Sequence, residues 1–551
     1  MDMDPFGIVP SFIRVLESWK DRYADFLQIS MNLLENLEEA TIEELPSLTA
    51  AVNKALEMKD PKAAMLDYVR CRAGLHGKHH NILNGWLKEF VGRAQGLNEE
   101  ERKRALFWTR QITSAMAPAN FFWTNPFAVQ KFLNSDGETL IKGSLNWLDD
   151  AFQRDFLTRI VDESVFKVGD NIASTPGKII FRNDLIELIQ YKPSTEKTYA
   201  VPIVLIPPWI NKYYIFDLTP ESSLVRYLRD QGFTVFIISW KNPSGEMRHV
   251  TFEDYIFKGI LKAIDVAMLI SGVPQVHAAG YCIGGTALAV LMAWLNRSGK
   301  EKAAFPVVDW TLFSALVDFA EPGELGVLIN RNVVETVEQM MEITGVLDKK
   351  LIGLTFRLLG ADNLIWRNFV HNYLYGGSPP KSDMLFWNSD GTNLPQAMCS
   401  FYLREFYLNN SLAKSDRMVM SKRPIDMNRV TQPLYVVGTQ MDHICPWRST
   451  FQTCRLVSGS VKYVLSSEGH ITGIINPPSP YSRRKYWAGN FQEETQPEVW
   501  LSSQVESHGS WWGDWVEWMK YRSMPMTGPP HIGCNNYPPL EDAPGIYVTE
   551  H

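Results

Sequence analysis

Cys282 stands in Gly280-Tyr281-Cys282-Ile283-Gly284-Gly285, between an apolar lead-in at 276–279 and a helix-prone run at 287–295. That order reads as strand, tight turn, helix, a nucleophile elbow with cysteine in place of serine. The small neighbours let strand and helix approach, and the helix N-terminus aimed at the thiol favours its thiolate form. Free cysteine in a βα turn is also a small hydrophobe, so the chemical reading depends on partners. Asp442 follows the apolar run 433–438, and His470 follows 462–465 in Ser466-Ser467-Glu468-Gly469-His470. Nucleophile, acid and histidine in that chain order, acid and histidine each on a loop after a strand, make a catalytic triad for acyl transfer. Cys282 is its nucleophile, His470 the general base and Asp442 the orienting acid. His443 adjoins Asp442 and takes a supporting role, while Glu468 reads as loop surface. The oxyanion donors are expected to be the backbone N–H of Ile283 and one from the loop after 201–206, at Trp209 or Ile210.

Elements must hold these residues in place. Strands are predicted at 178–181 and 185–189 around the turn Asn183-Asp184, then at 201–206, 234–240 and 276–279. A helix is predicted over 252–270. Strands alternating with helices imply an α/β fold, a parallel sheet covered on both faces. Residues up to about 165 carry apolar positions at three- and four-residue steps, over 8–37, 64–96 and 99–115, and read as helices. Between about 324 and 430 the alternation gives way to aromatic clusters such as Leu385-Phe386-Trp387-Asn388 and Phe401-Tyr402-Leu403-Arg404. The expectation is an α/β-hydrolase fold with a cap subdomain inserted at about 324–430. Its catalytic domain spans 191–551 and is preceded by a mostly helical N-terminal domain, 1–190.

The chain has 551 residues, 45% hydrophobic and 21% charged, an ordinary globular composition. A net charge of −7 gives no basis for a nucleic-acid partner. The six cysteines, Cys71, Cys282, Cys399, Cys445, Cys454 and Cys534, include no C-x-x-C. Neither a disulfide framework nor a structural zinc site is expected, and a reducing cytoplasm fits. The pair His79-His80 is adjacent in a helical stretch, so the two rings point to different sides and do not suggest a metal site. The acidic start Met1-Asp2-Met3-Asp4-Pro5 lacks the basic region of a secretory signal. No apolar run approaches the roughly 18 residues of a membrane span.

Several motifs together resemble the polyhydroxyalkanoate synthases of the single-subunit, class I-like kind. They are Phe121-Phe122-Trp123-Thr124-Asn125-Pro126, Pro207-Pro208-Trp209-Ile210-Asn211-Lys212-Tyr213-Tyr214, the Cys282 box, Asp442-His443-Ile444-Cys445-Pro446-Trp447, Gly469-His470-Ile471-Thr472-Gly473 and His508-Gly509-Ser510-Trp511-Trp512. The resemblance runs from about residue 118 to 515 and is loose over the first hundred. It implies that (R)-3-hydroxyacyl-CoA thioesters are polymerised into a polyester with release of coenzyme A, through an acyl group on Cys282. The preferred acyl group would be short, 3-hydroxybutyryl for example. It also implies a cytoplasmic homodimer at the surface of polyester granules, alongside phasins, with no cofactor and no metal.

The residue types suit that chemistry. A thiol attacking a thioester gives another thioester of nearly equal energy, so the acyl group stays activated for transfer to a hydroxyl. Water must be kept away, which an aromatic cap would serve. Two competing readings share these residues: a thiol esterase or thioesterase with water as acceptor, and a non-catalytic granule-binding protein.

Overall fold

The computed structural model describes residues 4, 6–58, 60–297, 305–493 and 495–550. Apart from Asp4, the acidic start at residues 1–5 lies outside them. The chain forms two compact units, one of Met1–Glu163 with Leu354–Ser382, the other of Ser164–Gly353 with Asp383–His551.

The first unit is helical: α1 (Ile8–Trp19), α2 (Tyr23–Glu57), α3 (Pro61–Gly92), α4 (Glu99–Ala115), α5 (Pro126–Asn134) and α6 (Glu138–Gln153). The apolar face expected over 8–37 belongs to two helices, interrupted between Trp19 and Tyr23. α4 begins where Asn98 accepts the Glu101 N–H at 2.9 Å and Glu101 accepts the Asn98 N–H at 3.1 Å, a reciprocal cap. Trp19 stacks on Phe90 at 5.2 Å in a small core with Val15, Ile29 and Val91. His79 is partly buried, with a ring nitrogen 2.9 Å from Thr41 Oγ1. Residues 354–382 dock on α6, where the Asn146 amide donates to the carbonyls of Asn372 and Gly377 at 2.9 and 3.0 Å. The segment expected as one cap therefore divides between the units.

The second unit is built on a ten-stranded sheet. Its strands are β1 (Gly177–Arg182), β2 (Ile186–Tyr191), β3 (Ile203–Ile206), β4 (Val235–Trp240), β5 (Val276–Tyr281), β6 (Val307–Phe313), β7 (Leu434–Thr439), β8 (Val461–Ser466), β9 (Lys485–Asn490) and β10 (Glu506–His508). Their order is β1-β2-β4-β3-β5-β6-β7-β8-β9-β10. The run from β4 to β8 is parallel, and β1, β2, β9 and β10 add antiparallel edges. The helices that matter for the site are α7 (Ile283–Asn296), α8 (Trp447–Leu456) and α9 (Trp512–Ser523). Alternate residues of each central strand enter opposite cores. Val204, Ile206, Ala278 and Leu312 enter one, and Ile203, Leu205, Ala279 and Phe313 the other. The sheet is thus buried on both faces, as covered parallel sheets are. This is the α/β-hydrolase arrangement, with the elbow after β5. The boundary expected at 190 falls instead at 163/164, because β1 and β2 hydrogen-bond into the sheet. Among the described residues no helix is long and apolar enough to cross a membrane.

Candidate active site

Cys282 caps α7 directly after β5, with φ 53° and ψ −127°. A non-glycine residue at positive φ is strained, and the surroundings hold it there. The Cys282 N–H donates to the Phe313 carbonyl at 3.0 Å, and the Cys282 carbonyl accepts from Gly285 and Thr286 at 2.9 and 3.0 Å. The glycines are explained by close approach. A Cβ on Gly284 would lie 2.6 Å from the Ile206 carbonyl oxygen, and one on Gly285 would lie 2.6 Å from the Ala315 Cβ.

Parallel register brings the other two residues to the same end of the sheet. Thr439 pairs with Ser466 at the ends of β7 and β8. The loops beyond are tied together by the Met441 N–H, which donates to the Glu468 carbonyl at 3.1 Å. His470 Nδ1 lies 2.7 Å from Asp442 Oδ2. Asp442 is buried and fixed on its other sides by the hydroxyl of Thr439 (2.9 Å) and the N–H groups of Ile444 (2.9 Å) and Cys445 (2.8 Å). The loop carrying His470 is anchored by indoles. Trp511 and Trp512 donate from Nε1 to the carbonyls of Gly473 and Ile474 at 2.8 and 2.9 Å. The Tyr281 hydroxyl donates to the His470 carbonyl at 3.0 Å, and the two rings lie 5.2 Å apart.

One neighbour escaped the sequence reading. The thiols of Cys282 and Cys445 and a ring nitrogen of His470 all lie within 4.8 Å of one another. The Cys445 thiol is the main cause that brings Cys282 down to about 5, aided by the His470 charge and hydrogen bond and by the Ile283 N–H, against the cost of burial. Burial opposes a charge on His470, yet the Asp442 carboxylate and the Cys282 thiolate raise it to about 10. Cys445 is pushed up by its bond to Cys282 and by burial. These directions favour the negative charge on Cys282, against His470 and a helix N-terminus, and the proton on Cys445. Tyr402 and Tyr407, partly buried members of the aromatic segment, are raised first by burial, with the charges of Cys445 and Cys282 adding to it. The aromatic composition of 401–407 was visible in the sequence, but not that Tyr402, Phe406 and Tyr407 would pack with Phe319.

The remaining expected residues are near the elbow or outside it. The Ile283 N–H reaches the thiol. Trp209 is buried, its carbonyl accepting from the Thr392 hydroxyl. His443 is exposed, outside the cluster of thiols and imidazole, and its carbonyl accepts from the Glu324 N–H at 2.8 Å. A second Ser–His–Asp chain exists: His277 Nδ1 is 2.8 Å from Asp309 Oδ1, and its Nε2 is 2.8 Å from Ser523 Oγ. All three are at most 1% exposed. His277 also lies at the start of β5, about 16 Å from Cys282 at a strand's rise per residue, so this chain clamps α9 to the sheet.

Residues 75–228 match the family described as poly-beta-hydroxybutyrate polymerase (PhaC) N-terminus. The chain is 36% identical to the poly(3-hydroxyalkanoate) polymerase of Methylorubrum extorquens, over 97% of this chain and 88% of that one. It is 40% identical to the poly(3-hydroxyalkanoate) polymerase subunit PhaC of Cupriavidus necator, over 85% and 79%. Against the subunit of the same name from Rhizobium meliloti the figures are 36%, 97% and 85%. Similarity at this level, sustained along nearly the whole of the chain, means that it belongs to the poly(3-hydroxyalkanoate) polymerase family.

Proposed function

We propose that this enzyme polymerises (R)-3-hydroxyacyl-CoA thioesters, 3-hydroxybutyryl-CoA among them, through an acyl group carried on Cys282. The observation that carries the reading is the cluster of the Cys282 thiol with His470, whose Nδ1 lies 2.7 Å from Asp442. The Cys282 thiolate attacks the thioester carbonyl, and the oxyanion forms against the Ile283 N–H. The C–S bond to coenzyme A then breaks, and the departing thiolate takes the proton of the His470 imidazolium. Neutral His470 next accepts the proton of a 3-hydroxyl group. The oxygen attacks the acyl group on Cys282, an ester forms, and the thiolate–imidazolium pair returns. Asp442 holds the ring and supports its charge throughout.

The aromatic cluster of Phe319, Tyr402, Phe406 and Tyr407 in the same unit suits an acceptor that is a hydroxyl rather than water. The short acyl group is supported by the polyhydroxybutyrate name of the matching family and by the resemblance of the Cys282 box. The same resemblance supports a cytoplasmic homodimer working at polyester granules with phasins.

Purified protein incubated with 3-hydroxybutyryl-CoA should release coenzyme A and yield insoluble polyester. Cys282→Ala should lose turnover by on the order of 10⁴-fold or more. Free 3-hydroxybutyrate as the sole product would overturn the polymerase reading in favour of a thioesterase. Undiminished turnover by Cys282→Ala would remove the nucleophile.

A further inference from the structure

Cys445 is used in the scheme above only as a hydrogen-bond donor, yet its position gives the site a second capacity. We propose that Cys282, Cys445 and His470 form a Cys₂His site for a soft or borderline cation such as Zn²⁺, and that loading it switches the polymerase off.

The first ground is distance. The three donor atoms lie within 4.8 Å of one another. A tetrahedral zinc with bonds of about 2.3 Å to sulfur and about 2.0 Å to nitrogen sets its donors roughly 3.5–3.8 Å apart. Small side-chain rotations close that difference. The second ground is donor chemistry. Two thiolates and an imidazole select zinc and softer ions over magnesium or calcium, which need oxygen.

The third ground is the shell behind the donors. His470 already has Nδ1 committed to Asp442 at 2.7 Å, leaving Nε2 for a metal. That is the carboxylate–histidine arrangement that fixes and strengthens a zinc-bound imidazole. The same carboxylate accepts the Cys445 N–H at 2.8 Å and the Thr439 hydroxyl at 2.9 Å. One buried acid therefore positions two of the three ligands. Neither ligand is sealed from solvent: Cys282 is partly buried and the His470 side chain is 10% exposed.

Three protein ligands leave a fourth position for water or a substrate thiolate. Loading moves no electrons: the metal takes the Cys282 lone pair, the imidazolium proton leaves Nε2, and the Cys445 S–H proton leaves sulfur, both to solvent. The bound ion occupies the lone pair that attacks the thioester and the nitrogen that shuttles the proton. Inhibition, though not binding, rests on the reading of Cys282 as nucleophile. Ligands at positions 282, 445 and 470 have no short spacing, so no sequence pattern announces them.

Full-length protein, reduced and freed of metal by a chelator, is titrated with Co²⁺ as a coloured probe for the zinc position. One Co²⁺ per chain should bind with a thiolate-to-cobalt charge-transfer band, and Zn²⁺ should displace it. Cys445→Ser and Cys282→Ser should each weaken Co²⁺ binding at least tenfold, and Cys71→Ser, in α3, should not. In the unaltered protein Zn²⁺ should block alkylation of Cys282 by iodoacetamide and stop polymerisation, and a chelator should restore both. Absence of the band at tenfold excess Co²⁺, or affinity unchanged in both serine variants, would overturn the site. Binding that depends on both thiols while polymerisation continues would uphold the site and instead remove Cys282 as the nucleophile.

Discussion

Cys282 differs from its buried counterparts in what faces it. Burial pushes Cys399 up to about 12 and pushes Cys454 up as well, so both are inert thiols that fill space. Cys282 goes the other way, down to about 5, and the largest cause is the Cys445 thiol. A hydrogen bond to a charged group is worth about 1.5–3 kcal/mol, and one pKa unit is about 1.4 kcal/mol. Cys445→Ala removes a donor to the thiolate, which disfavours the charged form and raises the Cys282 value by about one to two units. The rate of Cys282 alkylation by iodoacetamide in the metal-free enzyme rises with pH as the thiolate forms. Its midpoint should therefore move up from near 5 by that amount, and Cys445→Ser, which keeps a donor, should restore much of the shift. An unmoved midpoint in Cys445→Ala would mean that His470 and the helix N-terminus hold the thiolate unaided.

At the scale of elements, the elbow is a packing problem solved by glycine. Gly284 lies under the end of β3, where an added Cβ would meet the carbonyl oxygens of Ile206 and Pro207 at 2.6 and 2.7 Å. Gly284→Ala should cost about 1–3 kcal/mol of stability, as overpacking does. It should also lower turnover by shifting the Ile283 N–H beside it, which thermal unfolding and coenzyme A release would measure. Gly353, in the helix Lys349–Leu359, is a control with nothing within 4 Å of its Cβ position. There alanine should instead stabilise by about 1 kcal/mol. Such constraints explain what was legible in the sequence. Glycines bracketing Cys282, and Asp442 and His470 each closing an apolar run, carry their positions in local pattern. β6 went unread because Asp309 interrupts its apolar run, and that aspartate is accommodated by His277 from the neighbouring strand and by Arg522 of α9. Cys445 stood in plain view three residues after Asp442. Its approach to Cys282 comes from the turn in which Asp442 accepts the Ile444 and Cys445 N–H groups, a tertiary fact with no spacing signature. β10 is a three-residue edge strand and β9 beside it is only partly buried, so neither carries a marked apolar run and their partners are set by the sheet.

Across the whole molecule, the chemistry belongs to one unit. Cys282, Asp442, Cys445, His470, Tyr402 and Tyr407 all lie in the unit of Ser164–Gly353 with Asp383–His551. The other unit closes its own packing between α6 and residues 354–382. There Tyr373 donates its hydroxyl to Asp150 at 2.8 Å, and a Cβ on Gly143 would fall 1.8 Å from the Tyr373 carbonyl oxygen. No side-chain rotation relieves a clash with backbone, so Gly143→Val must push 354–382 away from α6. The expected cost is about 3 kcal/mol, at the upper end of overpacking. It should appear as faster amide hydrogen exchange in α6 and in residues 370–375. The thiolate–imidazolium pair draws on none of those groups, so alkylation of Cys282 should keep its pH midpoint and, within about twofold, its rate. A midpoint displaced as far by Gly143→Val as by Cys445→Ala would show that the site depends on packing in the helical unit as well as on the loops after β5, β7 and β8.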